Sequence, residues 1–153
     1  MAIPAPQRLF ETHLTVADLD RSARFYEEVV GLEPAYRLEA RRVAFYWIGG
    51  PGHTMLGLWE AGSAPNRMQL HVAFACGIDD VLAAPARLRA LGAQPLDFDG
   101  QPASEAVVIA WMPAVSVFVR DPDDHLLELV AMLPGASRPE LGVVPYSAWT
   151  KDA

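Results

Sequence analysis

The sequence predicts an α+β domain in which two tandem βαβββ units form a curved, cup-shaped mixed sheet with the helices on its outside. Two observations favour this fold. The order strand, helix, strand, strand, strand occurs twice along the 153 residues, and landmarks within each copy recur in the same order. Because one copy often cannot bury its own sheet face, both are expected to form a single domain over residues 1–153. Unit one spans about residues 8–60, unit two about 68–133, and a tail without clear periodicity covers 134–153.

Unit one begins, after an arm at Met1–Gln7, with alternating residues at Leu9–Val16. One face of this strand is mostly apolar and should pack on a helix, whereas Glu11, His13 and Thr15 share a polar face. The other elements predicted for unit one are a helix at Leu19–Val30 with Asp18 as its N-cap and Gly31 after its end, a short strand at Pro34–Leu38, and strands at Arg42–Ile48 and Met55–Trp59 on either side of a Gly49–Gly52 turn.

Unit two repeats this order after a polar loop at Glu60–Arg67. The predicted elements are a strand at Gln69–Ala75, a helix at Ile78–Leu91 followed by Gly92, and strands at Ala106–Met112, Val115–Arg120 and Leu126–Met132. Pro85 lies inside the helical pattern and has no N–H to donate. It therefore predicts a short turn first, with the main helix beginning near Pro85.

The two units align through a few landmarks. The matched positions are His13 with His71, Gly31 with Gly92, and Leu56–Leu58 with Leu127–Leu129. The separation between partners grows along the chain, which indicates longer loops in the second copy.

Composition excludes several classes of function. Apolar residues make up 52% of the chain, and 19 acidic against 12 basic residues give a net charge of -7. Such a surface repels phosphate backbones, so no nucleic-acid partner is expected. No run approaches the roughly 20 apolar residues that span a bilayer, and the first ten residues do not form a signal peptide. Cys76 is a lone cysteine in an apolar run, which predicts a buried thiol and a reducing, cytoplasmic location.

Three residues point to chemistry. His13 and His71 lie in the middle of strands on polar faces, and Glu128 lies in an apolar strand, where a carboxylate is costly unless it is paired or bound to a cation. Two imidazoles and a carboxylate suit one divalent ion (Mn, Fe, Ni, Zn or Co) and leave coordination positions open to a substrate. Glu128 is therefore predicted as a ligand with a catalytic role. Glu11 shares the face of His13 and is a candidate general base.

Ordinary structural roles remain open for each of these groups. A histidine in a strand is often a satisfied core residue, and Glu128 could pair with an arginine. His53 and His125 lie in turns and are expected to be solvated. Asp121, Asp123 and Asp124 are expected to form a turn, with a positive φ possible at Asp124. Most large aromatic residues should be core, with one or two facing a partly apolar ligand: Phe45, Trp47, Trp59, Trp111 and Phe118.

Two stretches carry a family resemblance. ETHLTVADLDRSARFYEEVVGL resembles the first unit, and FVRDPDDHLLELV the closing strands of the second unit, of the glyoxalase/bleomycin-resistance/extradiol-dioxygenase superfamily, the vicinal oxygen chelate fold. The resemblance covers Leu9 to Met132 and is more specific for the fold than for the reaction. It places the ligand positions of the superfamily on His13, Gly57, His71 and Glu128.

The resemblance implies a metal-dependent enzyme acting on a small oxygenated organic molecule, and often a homodimer. The reaction could be that of a lyase, isomerase, dioxygenase or transferase. Gly57 departs from glyoxalase I, which fills all four positions. Fosfomycin-resistance transferases and extradiol dioxygenases use two histidines and a glutamate, although they commonly have a tyrosine near the position of Phe118. The alternative is a metal-free protein that sequesters a drug-like ligand, as bleomycin-resistance proteins do.

Overall fold

A computed structural model describes residues 8–61 and 69–150. The predicted arm Met1–Gln7 and most of the predicted loop Glu60–Arg67 lie outside these residues. The chain divides into two compact units, with the boundary between Met68 and Gln69. Each unit is a mixed sheet with helices, so the α+β prediction and the doubled βαβββ order are confirmed.

The first unit contains a four-stranded sheet. Its elements are β1 (Glu11–Val16), α1 (Leu19–Glu28), β2 (Glu33–Leu38), a 3-10 turn (Glu39–Arg41), β3 (Val43–Ile48) and β4 (Thr54–Glu60). The strand order is β1-β4-β3-β2, with β1 parallel to β4 and the other pairs antiparallel. Every element predicted for this unit is present.

Helix α1 packs on one face of this sheet. The Asp18 side chain accepts a hydrogen bond from the Arg21 N–H at 2.9 Å, as predicted for the N-cap. Leu19 and Tyr26 of the helix are fully buried, as is nearly all of Leu14 on β1. Since side chains alternate across a strand, burial of Leu14 leaves the Glu11 and His13 face of β1 open.

Glu60 ties the end of β4 to the start of α1. Its carboxylate accepts from the Leu19 N–H at 2.8 Å and from the Arg42 guanidinium at 2.7 Å. The Arg42 hydrogen bond, followed by that of Leu19, holds the pKa of Glu60 below its ordinary value of 4.5. An ionised Glu60 therefore stabilises the contact between this helix and its sheet.

The second unit contains a five-stranded sheet. Its elements are β5 (His71–Ala75), α2 (Ile78–Ala90), β6 (Val107–Ile109), β7 (Ala114–Arg120), β8 (Leu126–Met132), a 3-10 turn (Pro139–Leu141), β9 (Val143–Pro145) and α3 (Tyr146–Trp149). The order is β5-β8-β7-β6-β9, with β5 parallel to β8. The tail, which was not assigned structure from the sequence, supplies β9, which pairs with β6.

The predicted helix break at Pro85 is wrong. Helix α2 runs without interruption from Ile78 to Ala90, with Pro85 inside it. Pro85 is buried with Val81, Ala84 and Leu88 on the side that packs against β7 and β8. Burial of this apolar face offsets the one helical hydrogen bond that proline removes.

Among the described residues, no helix is long and apolar enough to cross a membrane.

Candidate functional site

The second unit brings two predicted site residues together. His71 begins β5 and Glu128 lies in the middle of the neighbouring strand β8, and their Nε2 and Oε2 atoms are 3.0 Å apart. The Ser116 hydroxyl on β7 donates to Oε1 of Glu128 at 2.6 Å. The Glu128 side chain is 8% exposed and that of His71 is 48% exposed. A buried carboxylate with both oxygens engaged thus faces an accessible imidazole.

This donor set fits a divalent metal in its chemistry. Imidazole nitrogen and carboxylate oxygen are ligands that Mn, Fe, Co, Ni and Zn accept. Ser116 holds one oxygen of Glu128, which is the kind of supporting hydrogen bond that orients ligating carboxylates. Phe118 is buried and stands edge-on to the His71 ring, with centroids 6.2 Å apart, so one side of the pair is apolar.

The first unit brings together a different set. On the open face of its sheet, Glu11 Oε1 lies 2.9 Å from His13 Nε2. The Trp59 indole on β4 donates to His13 Nδ1 at 2.7 Å. The rings of His13 and Trp59 stack with centroids 5.7 Å apart, and Phe45 stands edge-on to both. Both imidazole nitrogens of His13 are therefore engaged.

These contacts fix the tautomer of His13. An indole N–H can only donate, so Nδ1 must accept and carries no proton. In the neutral ring the proton is then on Nε2, which donates to the Glu11 carboxylate. His13 in this arrangement presents an N–H and not a lone pair, whereas a metal requires a lone pair.

Gly57 lies beside His13 in the sheet. It is the register partner of both His13 on β1 and Phe45 on β3. A Cβ atom at position 57 would lie 3.2 Å from Cδ2 of the His13 ring, closer than ordinary van der Waals contact. The absence of a side chain at Gly57 therefore leaves the space that the His13 ring occupies.

The strand registers revise the repeat alignment. Gly57 pairs with His13, but Glu128, its counterpart in the second unit, pairs with Ala73. If Gly57 and Glu128 correspond, His13 corresponds to Ala73, and Glu11 corresponds to His71. The sequence match of His13 with His71 is thus displaced by two residues, or roughly 7 Å along the strand. Both positions lie on the same face, which is why alternation alone does not separate them.

His125 is buried, contrary to the predicted solvated histidine. It is 1% exposed, and its Nδ1 accepts from the Leu70 N–H at 3.0 Å. Asp121 accepts from the N–H groups of Asp123 and His125, and Asp124 has φ +68°, so the predicted turn is confirmed. His125 therefore fixes the chain just before His71. His53 is exposed, as expected.

The aromatic and thiol predictions have mixed outcomes. Of the five aromatic residues expected to be mostly core, Phe118 alone is buried and Trp111 is 57% exposed, so that expectation is wrong. Phe45 and Trp59 are partly exposed beside His13. The Cys76 thiol is half-buried, and burial, followed by the nearby Asp80, raises its pKa. A raised thiol pKa lowers the thiolate fraction at neutral pH, so Cys76 is a poor nucleophile.

Within the described residues, no three His, Cys, Asp or Glu side chains gather into a group that could hold a metal ion. What the structure brings together are the pairs Glu11–His13 and His71–Glu128. Sequence reasoning identified all four residues as candidates. It missed Trp59 and Ser116 as their hydrogen-bond donors, because both reach across neighbouring strands.

Comparison with known proteins places the chain. The sequence model of one protein family, the Glyoxalase/Bleomycin resistance protein/Dioxygenase superfamily, matches residues 8–129. A "Probable lactoylglutathione lyase" of Vibrio parahaemolyticus is 28% identical over 130 residues, covering 80% of this chain and 89% of that protein.

Solved structures agree on the fold. An integron cassette protein from the mobile metagenome of a Halifax Harbour sewage outfall is 30% identical with a TM-score of 0.70, covering 83% of this chain and all of that one. The lactoylglutathione lyase of Agrobacterium tumefaciens is 24% identical with a TM-score of 0.63, covering 83% and 95%. At that identity the second likeness concerns the fold alone.

Proposed function

The chain belongs to the Glyoxalase/Bleomycin resistance protein/Dioxygenase superfamily, and from this we propose that it is a divalent-metal-dependent enzyme acting on a small oxygenated organic substrate. The observation that carries the proposal is the buried Glu128 carboxylate, held by Ser116 and in contact with the accessible His71. Burying a carboxylate costs free energy unless it is hydrogen-bonded or paired with a cation, and a metal ion shared with His71 would add to the compensation that Ser116 provides.

His71 and Glu128 are the proposed ligands of the second unit. From the first unit, the sequence pattern nominates His13, which remains a prediction. The register and the tautomer of His13 favour Glu11 instead, because Glu11 stands at the position equivalent to His71 and carries an anionic oxygen donor. We therefore propose His71 and Glu128 as donors to a divalent ion of Mn, Fe, Co, Ni or Zn in the second unit, and Glu11 as the candidate donor of the first unit.

The residues have distinct roles in this proposal. When bound, the ion would polarise neighbouring substrate oxygens and stabilise negative charge that develops on them. Ser116 keeps the Glu128 carboxylate in one orientation. His71 must direct its Nε2 lone pair to the ion, which places its proton on Nδ1. The general-base role that the sequence predicts for Glu11 is the alternative to its role as a metal donor, because both roles use the oxygen that His13 does not engage.

The reaction class remains that of the superfamily: lyase, isomerase, dioxygenase or transferase. A curated relative is named a probable lactoylglutathione lyase. Gly57 has no side chain to offer at the fourth ligand position that glyoxalase I fills, so the proposal keeps to the wider class. A homodimer is expected from the resemblance, and light scattering at micromolar concentration tests it.

Elemental analysis of the untagged protein tests the metal proposal. One divalent ion per chain is expected, with loss of the ion in Glu128→Ala and His71→Ala. His53→Ala is the matched control, because His53 is an exposed histidine in a turn of the same chain. A wild-type protein that retains no metal and binds none on titration would contradict the proposal and favour the sequestration alternative.

A further inference from the structure

The open face of the first sheet carries a chain of three hydrogen-bonded side chains. Trp59 donates to His13 at 2.7 Å, and His13 meets Glu11 at 2.9 Å. Trp59 itself is held on other sides, since the Arg41 guanidinium lies 4.9 Å from its ring centroid and Phe45 stands edge-on at 6.3 Å. This hydrogen-bonded chain therefore begins at the Trp59 ring, which has packing partners, and ends at the Glu11 carboxylate, which is one-third exposed.

We propose that Trp59 and His13 are positioning residues that hold the Glu11 carboxylate ready for its ligand. This inference rests on the proposed function, in which Glu11 is the first unit's donor to the metal ion. Trp59 fixes the Nε2–H tautomer of His13, and His13 in turn donates that proton to Oε1 of Glu11. The other oxygen, Oε2, is left for the ion.

Hydrogen-bond directionality supports this order. The indole can only donate and an ionised carboxylate can only accept, so the imidazole between them has one consistent neutral form. That form matches what a metal-bound carboxylate needs from its surroundings, namely a donor that fixes its orientation. It does not match direct ligation by His13. The hydrogen bond from Trp59 needs the lone pair on Nδ1 and the metal would need the lone pair on Nε2, so the neutral ring would have no nitrogen left for its proton.

Direct ligation by His13 predicts opposite effects of mutation. If the ion took a nitrogen of His13, it would compete with either Trp59 or Glu11 for that nitrogen. Removing the competitor would then leave metal binding unchanged or make it tighter. If Trp59 and His13 instead hold Glu11, removing either one weakens metal binding.

Isothermal titration of the full chain with Mn²⁺ and Zn²⁺ tests the proposal. Glu11→Ala should weaken binding most, and His13→Ala by about 10- to 100-fold, as for other supporting partners of metal ligands. Trp59→Phe should weaken binding by roughly two- to tenfold, the effect of one hydrogen bond. Trp47→Phe is the matched control, because Trp47 lies two residues from Phe45 on the same sheet face, and it should bind like wild type. Tighter or unchanged binding in Trp59→Phe, or a larger loss in His13→Ala than in Glu11→Ala, would overturn the proposal.

Nitrogen NMR of the metal-free protein separates this inference from the proposed function. In wild type and Trp47→Phe, the neutral His13 ring should show a protonated Nε2 and an unprotonated Nδ1. Trp59→Phe should admit a fraction of the Nδ1–H form. If wild type binds no metal, the proposed function fails, but the hydrogen-bonded chain is supported by the Nε2–H form. If His13 of the wild-type protein carries its proton on Nδ1, the proposed hydrogen-bonded chain is contradicted, whether or not the protein binds metal.

Discussion

Ser116→Ala removes the hydrogen bond that holds the Glu128 carboxylate, and so tests directly how much this bond contributes. Ser116 is fully buried, and its hydroxyl donates at 2.6 Å to a carboxylate that is itself buried. Hydrogen bonds to charged groups contribute about 1.5–3 kcal/mol to stability. Since a chain of this size loses about 2–4 °C of Tm per kcal/mol, we expect Tm to fall by roughly 3–12 °C in the presence of a chelator.

Ser137→Ala is the matched control for this change. The Ser137 hydroxyl donates at the same distance, 2.6 Å, but to the neutral carbonyl of Trp111 and at an exposed position. A neutral hydrogen bond contributes about 0.5–1.5 kcal/mol, and exposure replaces it with water. Differential scanning calorimetry should therefore show a clearly larger loss in Ser116→Ala than in Ser137→Ala.

A double-mutant cycle identifies the carboxylate as the source of the effect. Glu128→Gln keeps the size of the side chain but removes its charge, so adding Ser116→Ala to it should cost less than in wild type. Metal affinity provides the second readout, with an expected loss of about 10- to 100-fold in Ser116→Ala. Equal losses in the two serine variants, or additive effects in the cycle, would refute the reasoning.

Three further changes have defined outcomes. Gly57→Glu should lower stability without metal, because its Cβ would lie 3.2 Å from the His13 ring, and should weaken metal binding, because displacing that ring releases the Glu11 carboxylate; thermal melts with and without Zn²⁺ check both. His125→Ala should cost about 2–4 kcal/mol in urea unfolding, since it opens a cavity and leaves the Leu70 N–H without its acceptor. Glu60→Gln should destabilise at pH 7 and much less at pH 3. The pKa of Glu60 is lowered in the fold, so its contribution is present above about 4.5 and is lost as pH falls. An unchanged difference between these two pH values would contradict this assignment.

The fold could be predicted because burial follows strand parity and helix period. Leu14 and Val16 are buried and His13 between them is exposed, as the alternation at Leu9–Val16 requires. The errors arose where tertiary packing outweighed local preference. Pro85 continues a helix because its face is buried on the sheet. Strand β9 is only three residues long, too short to give an alternating pattern, and exists through its pairing with β6.

The site could be predicted only in part, for a related reason. Alternation identifies the face of a strand but not the position along it, so Glu11 and His13 are equivalent in pattern although they stand two residues apart. Their assignment depends on the register with β4, which no single strand encodes. The hydrogen bonds of Trp59 and Ser116 likewise join residues that are far apart in sequence.

Gly57 and His13 are best understood together. In the second unit, the imidazole and the carboxylate come from neighbouring strands, and Glu128 fills the space above β8. In the first unit, the corresponding space above Gly57 is taken by the ring of His13, which reaches along its own strand to Glu11. A side chain at position 57 would push this ring away from Trp59 and so release the Glu11 carboxylate. The absence of a side chain at Gly57 is thus what allows His13 to contact Glu11, which on the proposed function is a metal donor.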